Sequence, residues 1–346
     1  MSARKTEQEV AVRHPRETPN LFGHRDAETA LLAAYRSGRI PHAWLIGGAP
    51  GIGKATLAYR MARFVLTHRD PQAASVQRAE TLAVDPNNHV ARQITAGAHG
   101  GLLVLERSLN DRGVMRTVIT VDETRETISF FGSTAAVDGW RICIVDTVDE
   151  LNPNAANALL KILEEPPQRS LFLLVSHSPA RALPTILSRC RKLPLRPLAT
   201  GDVIRAAAQA TDISSDDPAL AEAADASEGS VSRALTLMGG DALKLQQRTA
   251  ALLASLPRVD PRELHALGDA LGTSDRVALA AFIDGIDRWI GEKLRTDDAN
   301  ANLPRLARLA EVWEKIVRAA RDTESYNLER KPLVFSVFGM LAEATR

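Results

Sequence analysis

The chain has 346 residues, 45% of them hydrophobic and 25% charged, the balance of a soluble globular protein with enough apolar material for an ample core and more than one domain. A net charge of +1 excludes the global basic field that drives non-specific nucleic-acid binding, so any DNA contact has to come from a local surface. Cys143 and Cys190 are the only cysteines: too few for a four-thiolate zinc site, with Cys143 reading as a buried reduced thiol in an apolar run. No secretory segment opens the chain and no apolar run reaches the roughly 18 residues of a membrane span, which points to the cytoplasm.

The opening stretch to Asn20 is polar, with Arg4, Lys5, Arg13 and Arg16, and is expected to be a frayed, solvated tail. Short runs that are apolar throughout follow: Ala43–Ile46, Leu102–Leu105, Ile142–Val145 and Leu171–Val175. Strands covered on both faces of a parallel sheet have this pattern. Helical spacing appears between them, as in Ala58, Met61, Ala62 and Val65, and the alternation predicts an α/β domain with a doubly wound parallel sheet. Residues 67–101 are polar and poorly periodic, and are expected to be an insertion with little structure. Pro194, Pro197 and the Thr200-Gly201-Asp202 turn close the domain. The expected division is an α/β domain over 1–198, a small helical lid over 199–243 ending at Gly239-Gly240, and a helical C-terminal domain over 244–346. In the last, Leu279, Phe282, Ile283, Ile286 and Ile290 form one stripe. Leu306, Leu309, Ala310, Trp313, Val317 and Ala320 form a second, and Val334, Val337, Phe338 and Leu341 a third, after Pro332. These stripes are most simply a bundle core.

Gly48-Ala49-Pro50-Gly51-Ile52-Gly53-Lys54 matches G-x-x-x-x-G-K directly after a strand and before a helix. In that setting Gly48, Gly51 and Gly53 let backbone N–H groups turn inward as an anion cradle, and Lys54 reaches the terminal phosphates. The bland alternative is a glycine-rich turn that binds nothing. The next position should carry the hydroxyl that holds Mg²⁺, and it is Ala55. Thr56 comes one residue late, a rotation of about 100° on a helix. ATP binding stays open on this reading, while Mg²⁺ is not expected.

The run Arg141–Asp146 has the form of the second half of such a site, an apolar strand ending in a carboxylate. In hydrolysing members of the wider AAA+ class a Glu follows this Asp to polarise water, and here the position holds Thr147. Asp149 and Glu150 lie beyond the strand end and out of register. Asp146 is as readily a strand-end carboxylate as a degenerate magnesium position. Defects in two separate motifs argue together against hydrolysis by this chain.

The segment Asn157-Ala158-Leu159-Leu160-Lys161-Ile162-Leu163-Glu164-Glu165-Pro166-Pro167 is, as physics, an amphipathic helix stopped by two prolines. It closely resembles a segment shared by bacterial clamp-loader subunits of DNA polymerase III, and Ser188-Arg189-Cys190 resembles the Ser-Arg-Cys motif of the same family. The resemblance covers roughly residues 20–240; the Asn327–Lys331 segment extends it, more weakly, into a C-terminal collar. It implies an AAA+ fold in which Arg189 reaches across a subunit boundary to a neighbour's ATP, where a fixed cation neutralises developing charge. Alone, an Arg between Ser and Cys is an ordinary surface residue. The family places a polar sensor at a strand end, where Ser176 and His177 stand, although any strand-end turn needs polar residues. Motor subunits carry a second sensor arginine at the place of Ser232, and Arg233, one step on, is expected to be a helix-surface residue. Family members commonly carry a four-cysteine zinc module after the phosphate-loop helix. This chain has no cysteine there, so zinc is not expected.

Ala55, Thr147 and Ser232 with a retained Arg189 form the pattern of the delta-prime type. That type implies a comparatively rigid, non-hydrolysing member of a hetero-pentamer with motor subunits and delta, which loads the sliding clamp onto primed DNA. It implies no required cofactor and no membrane. Any polymerase label would describe the assembly, since no two-metal carboxylate site for nucleotide addition is recognisable. The rivals are an autonomous AAA+ ATPase or motor-type subunit, a P-loop kinase, and a scaffold that neither binds ATP nor contributes an arginine.

Overall fold

A computed structural model describes residues 11–108, 116, 118–132, 139–179, 182–238, 240–273, 276–296, 303–326 and 328–345. Arg4, Lys5, Gly239 and Asn327 lie outside the described residues, as does the side chain of Leu306.

Five strands form one parallel sheet: β1 Ala43–Gly47, β2 Leu102–Glu106, β3 Arg141–Asp146, β4 Ser170–Ser176 and β5 Arg191–Pro194, in the order β2-β3-β4-β1-β5. Helices α1 Arg25–Arg36, α2 Lys54–Thr67, α3 Ala74–Arg78, α4 His89–Thr95, α5 Val121–Gly132, α6 Pro153–Glu164 and α7 Pro184–Leu187 accompany it. Successive strand residues point to opposite faces. Trp44, Ile46, Ile144, Leu171 and Leu173 therefore join α1 and α2 in one core, while Leu45, Cys143, Val145, Phe172 and Leu174 join α5 and α6 in another. Both faces are covered, as the apolar runs require.

The compact unit that ends at Ala234 also contains α8 Thr200–Ala210, α9 Pro218–Ala226 and the start of α10 Val231–Leu237. Leu198, Val203, Ala224 and Ala234 form a small core there. From Leu235 the second compact unit holds α11 Gly240–Ala254, α12 Pro261–Thr273, α13 Arg276–Thr296, α14 Leu303–Ser325 and α15 Arg330–Ala344. Leu279, Phe282, Ile286 and Ile290 of α13 and Val334, Val337, Phe338 and Leu341 of α15 are buried in its core, with Ile283 packed at the margin. On α14 the buried face is Leu309, Val312, Ile316 and Ala320, whereas Ala310 is exposed and Trp313 and Val317 are half-buried. That helix is rotated from the expected stripe: 309-312-316 and 309-313-317 are both helical spacings, and packing selects the first. No helix among the described residues is long and apolar enough to cross a membrane.

Two other expectations are corrected. Residues 67–101 contain α3 and α4, and Val76, Leu82 and Ile94 enter the main core. Each helix contributes only one or two apolar side chains, too few to print a period on the sequence. Residues 13–20 are also tied down. Pro15–Glu17 form a short 3₁₀ helix, Arg13 N–H donates to Ala210 O at 2.7 Å, and Thr18 is buried.

Candidate functional site

The phosphate loop, residues 48–53, leaves β1 and enters α2 where the sequence places it, and Lys54 and several loop carbonyls bond inward. Lys54 is 3% exposed, and its ammonium donates to the carbonyls of its own loop, Gly48 O at 2.7 Å and Ala49 O at 2.5 Å. Burial pulls its pKa down to about 8 against the opposing attraction of Asp146 and Asp149. The rest of the loop is pinned from three directions. Gly48 N–H donates to Ser176 O at the end of β4 (3.2 Å), Val231 N–H donates to Gly51 O (2.8 Å), and His24 Nε2–H donates to Ile52 O (2.6 Å).

The start of α10 sits against Gly51. A Cβ at that glycine would lie 2.0 Å from Ser232 Oγ and 2.4 Å from Ser230 Oγ, and its φ of +72° already lies in the left-handed region. Gly229 makes the approach possible: Leu198 N–H donates to Gly229 O at 3.1 Å, and a Cβ on Gly229 would meet the Leu198 backbone at 2.5 Å. The residue at the place of the second sensor thus packs on the loop. Arg233, expected on the helix surface, has a side chain only 12% exposed, with Nη1 3.6 Å from Glu228. The turn that brings Ser232 to the loop also covers its neighbour.

Asp146 ends β3 in register with Glu106 of β2. Burial and the Glu106 charge raise its carboxyl pKa, while Lys54 opposes them. Thr147, at the expected place of a water-polarising carboxylate, is 3% exposed, and its hydroxyl has no hydrogen-bond partner among the described residues. Asp149 has a structural task that sequence reasoning missed. Its carboxylate accepts from Ser176 Oγ at 2.8 Å, from the His177 N–H, and from Ser178 N–H at 3.4 Å, so it caps the end of β4. His177 is exposed, and it is its backbone N–H, not its imidazole, that joins the cap. Both candidate polar sensors therefore belong to a strand-end cap.

Tested against magnesium, the residues present do not fit a complete site: position 55 carries no hydroxyl ligand and position 147 no carboxylate. The loop lysine bonds to loop carbonyls, and Ser230 and Ser232 stand against Gly51. Among the described residues no group of three or more His, Cys, Asp or Glu is placed to hold a metal.

Arg189 stands in a different setting. It follows α7, and Leu183 just before that helix is an exposed apolar residue. Its guanidinium donates to Glu164 Oε1 at 2.6 Å, to Thr185 O at 2.8 Å and to Ser188 Oγ at 3.3 Å. Glu164, the last residue of α6, is 52% exposed, and the Arg189 side chain is 32% exposed. A cation oriented by one accessible carboxylate can exchange that partner for an external anion at small cost. Nearby Cys190 and the fully buried Cys143 are free thiols; burial pushes the Cys190 thiol up to about 12.

Fold and site together define a P-loop-type α/β protein whose phosphate loop lacks the magnesium hydroxyl at position 55, with a half-buried arginine at its edge. The sequence model for the family described as DNA polymerase III, delta subunit, matches residues 23–199, just over half of the chain. The chain belongs to that family. It is 36% identical over 149 residues to DNA polymerase III subunit delta' of Pseudomonas aeruginosa, covering 43% of this chain and 41% of that one. Against subunit delta' of Escherichia coli K12 it is 32% identical over 233 residues, covering 66% and 64%. DNA polymerase III subunit tau of Escherichia coli K12 is 28% identical over 278 residues, 78% of this chain and 40% of its own length. The matches span less than two thirds of each of these relatives.

Proposed function

We propose that this chain is a delta-prime-type clamp-loader subunit: it does not hydrolyse ATP, and it supplies Arg189 in trans to ATP on a neighbouring motor subunit. It assembles with motor subunits and delta in a hetero-pentamer through the helical residues 244–346, with 199–243 as its lid, and the assembly loads the sliding clamp onto primed DNA in the cytoplasm.

The observation that carries this reading is the contrast in lysine and arginine partners. Lys54, the cation that would serve a nucleotide here, is buried on its own loop's carbonyls. Arg189 is held outward by one carboxylate and two uncharged acceptors. Removing hydroxyl and carboxylate from the pocket takes away metal and water handling. A guanidinium fixed at an edge retains what a phosphoryl-transfer transition state needs, a preorganised cation near developing charge. Glu164 orients it until the neighbour's phosphate takes over that role.

The test is to reconstitute the loader with Arg189→Ala and measure DNA- and clamp-stimulated ATPase activity. A full arginine finger contributes roughly 10³–10⁵ in rate; with several motor sites in one ring, the variant should lose the share of turnover that belongs to the adjacent site. Unchanged activity removes the assignment. The autonomous-ATPase reading requires magnesium-dependent turnover by the isolated chain, which this pocket should not support.

A further inference from the structure

A cavity of about 320 Å³ lies between α2, α4 and the Pro15–Glu17 helix, on the side of α2 away from the phosphate loop's lysine. Its floor contains Arg60 and Arg63, which are 9% and 6% exposed, with Leu82; Val84 lies at the wall, and Arg92 and Glu17 stand exposed at the mouth. Arg60 is compensated by Glu28, Nε to Oε1 at 2.6 Å. Arg63 is not. Its guanidinium donates to Thr18 O at 3.3 Å and to Arg16 O, both uncharged, and among the described residues it has no carboxylate partner. Burial and the adjacent Arg60 charge lower its pKa.

A buried cation without a counter-charge is costly, and an anion in contact with it recovers that cost. The three arginines outnumber Glu17 and Glu28 by one charge. Arg60 and Arg63 come from one helix and Arg92 from another, a convergence that suits an anion able to accept from several directions. A phosphate offers this, whereas a carboxylate presents two coplanar oxygens. Leu82 and Val84 add apolar surface, and the volume lies at the small end of ligand pockets. We propose that this cavity binds a small monophosphate-bearing molecule, with its phosphate on Arg63 and Arg92 and its apolar portion against Leu82 and Val84. Nothing in the trans-acting role of Arg189 requires this site.

The test uses the full chain and calorimetric titration with inorganic phosphate, phenyl phosphate and benzoate, at ionic strength matched with chloride. Saturable one-to-one binding is expected, tighter for phenyl phosphate than for phosphate and weakest for benzoate. Arg63→Gln should weaken it at least tenfold and Arg92→Gln several-fold, while Lys54→Met leaves it intact. Should Arg63→Gln fail to fold, Arg92→Gln and the cavity-filling Val84→Trp carry the test, and full affinity in both overturns the site. No saturable binding above the chloride control overturns it as well. So does loss of binding in Lys54→Met with retention in Arg63→Gln, which would move the phosphate to the loop. Benzoate binding as tightly as phenyl phosphate would overturn the phosphate assignment.

Discussion

The phosphate loop and the edge at Arg189 belong to one compact unit and are both built from short motifs, yet they treat their charged groups in opposite ways. In the loop, Lys54 and the carbonyls of Gly48, Ala49, Gly51 and Ile52 have partners inside the fold, with β4, His24 and α10 bonding to residues 48–53. At the edge, an arginine rests on a half-exposed carboxylate. A motif can survive as scaffold once its polar groups have found internal partners. It stays available for chemistry where those partners are exposed enough to be exchanged.

Breaking the edge should give the largest effect. Arg189→Ala is expected to remove about two or more orders of magnitude from turnover at the adjacent motor site, measured in the reconstituted loader with single-site motor variants. Glu164→Gln sharpens the same point from the other side. The guanidinium keeps Thr185 O and Ser188 Oγ, so the loss should be only a few-fold, with thermal stability changed by about 0.5 kcal/mol or less for an exposed pair.

The loop should be broken by volume rather than by charge. Gly229→Ala places a Cβ at 2.5 Å from the Leu198 backbone at a residue with φ of +82°, and should cost about 3 kcal/mol in urea unfolding. Gly51→Ala meets two serine hydroxyls instead, and Ser232→Ala should recover part of its cost; equal costs with and without Ser232 would show that the contact with α10 does not shape the loop.

The buried loop cation, Lys54, is tested by its own titration. Its folded-state pKa is lowered to about 8 from the ordinary 10.5 of a lysine, so between those values the unfolded chain binds more protons than the folded one. Stability therefore rises with pH through that window, by about 2 kcal/mol from pH 7 to 9.5. The rise should vanish in Lys54→Met, and its persistence there would assign it to another group.

What could be read from the sequence was local. The apolar runs at 43–46, 102–105, 142–145 and 171–175 fall on β1 to β4, because a strand buried on both faces needs no partner to be recognised. Strand β5 was missed: Arg191-Lys192-Leu193-Pro194 is polar and lies at the sheet edge beside β1, where only Leu193 is buried. Within the site, the glycines, Lys54 and the missing hydroxyl at 55 were legible from the motif, and the missing carboxylate at 147 through the resemblance to the AAA+ class. The inward turn of Lys54 was not, nor was the contact between Gly51 and Ser232, because a separation of some 180 residues leaves no periodic trace. The cap that Asp149 places on β4 and the tie of Arg63 to Arg16 and Thr18 were hidden for the same reason.

Helix α6 gives this division one more meaning. Its first turn is fixed by Asn152, whose Oδ1 accepts Ala155 N–H at 2.8 Å three residues after Asp149 caps β4, and its last residue is Glu164, on which Arg189 leans. Twelve residues of helix make a strut about 18 Å long, which begins beside the cap on β4 and ends at the carboxylate that holds Arg189.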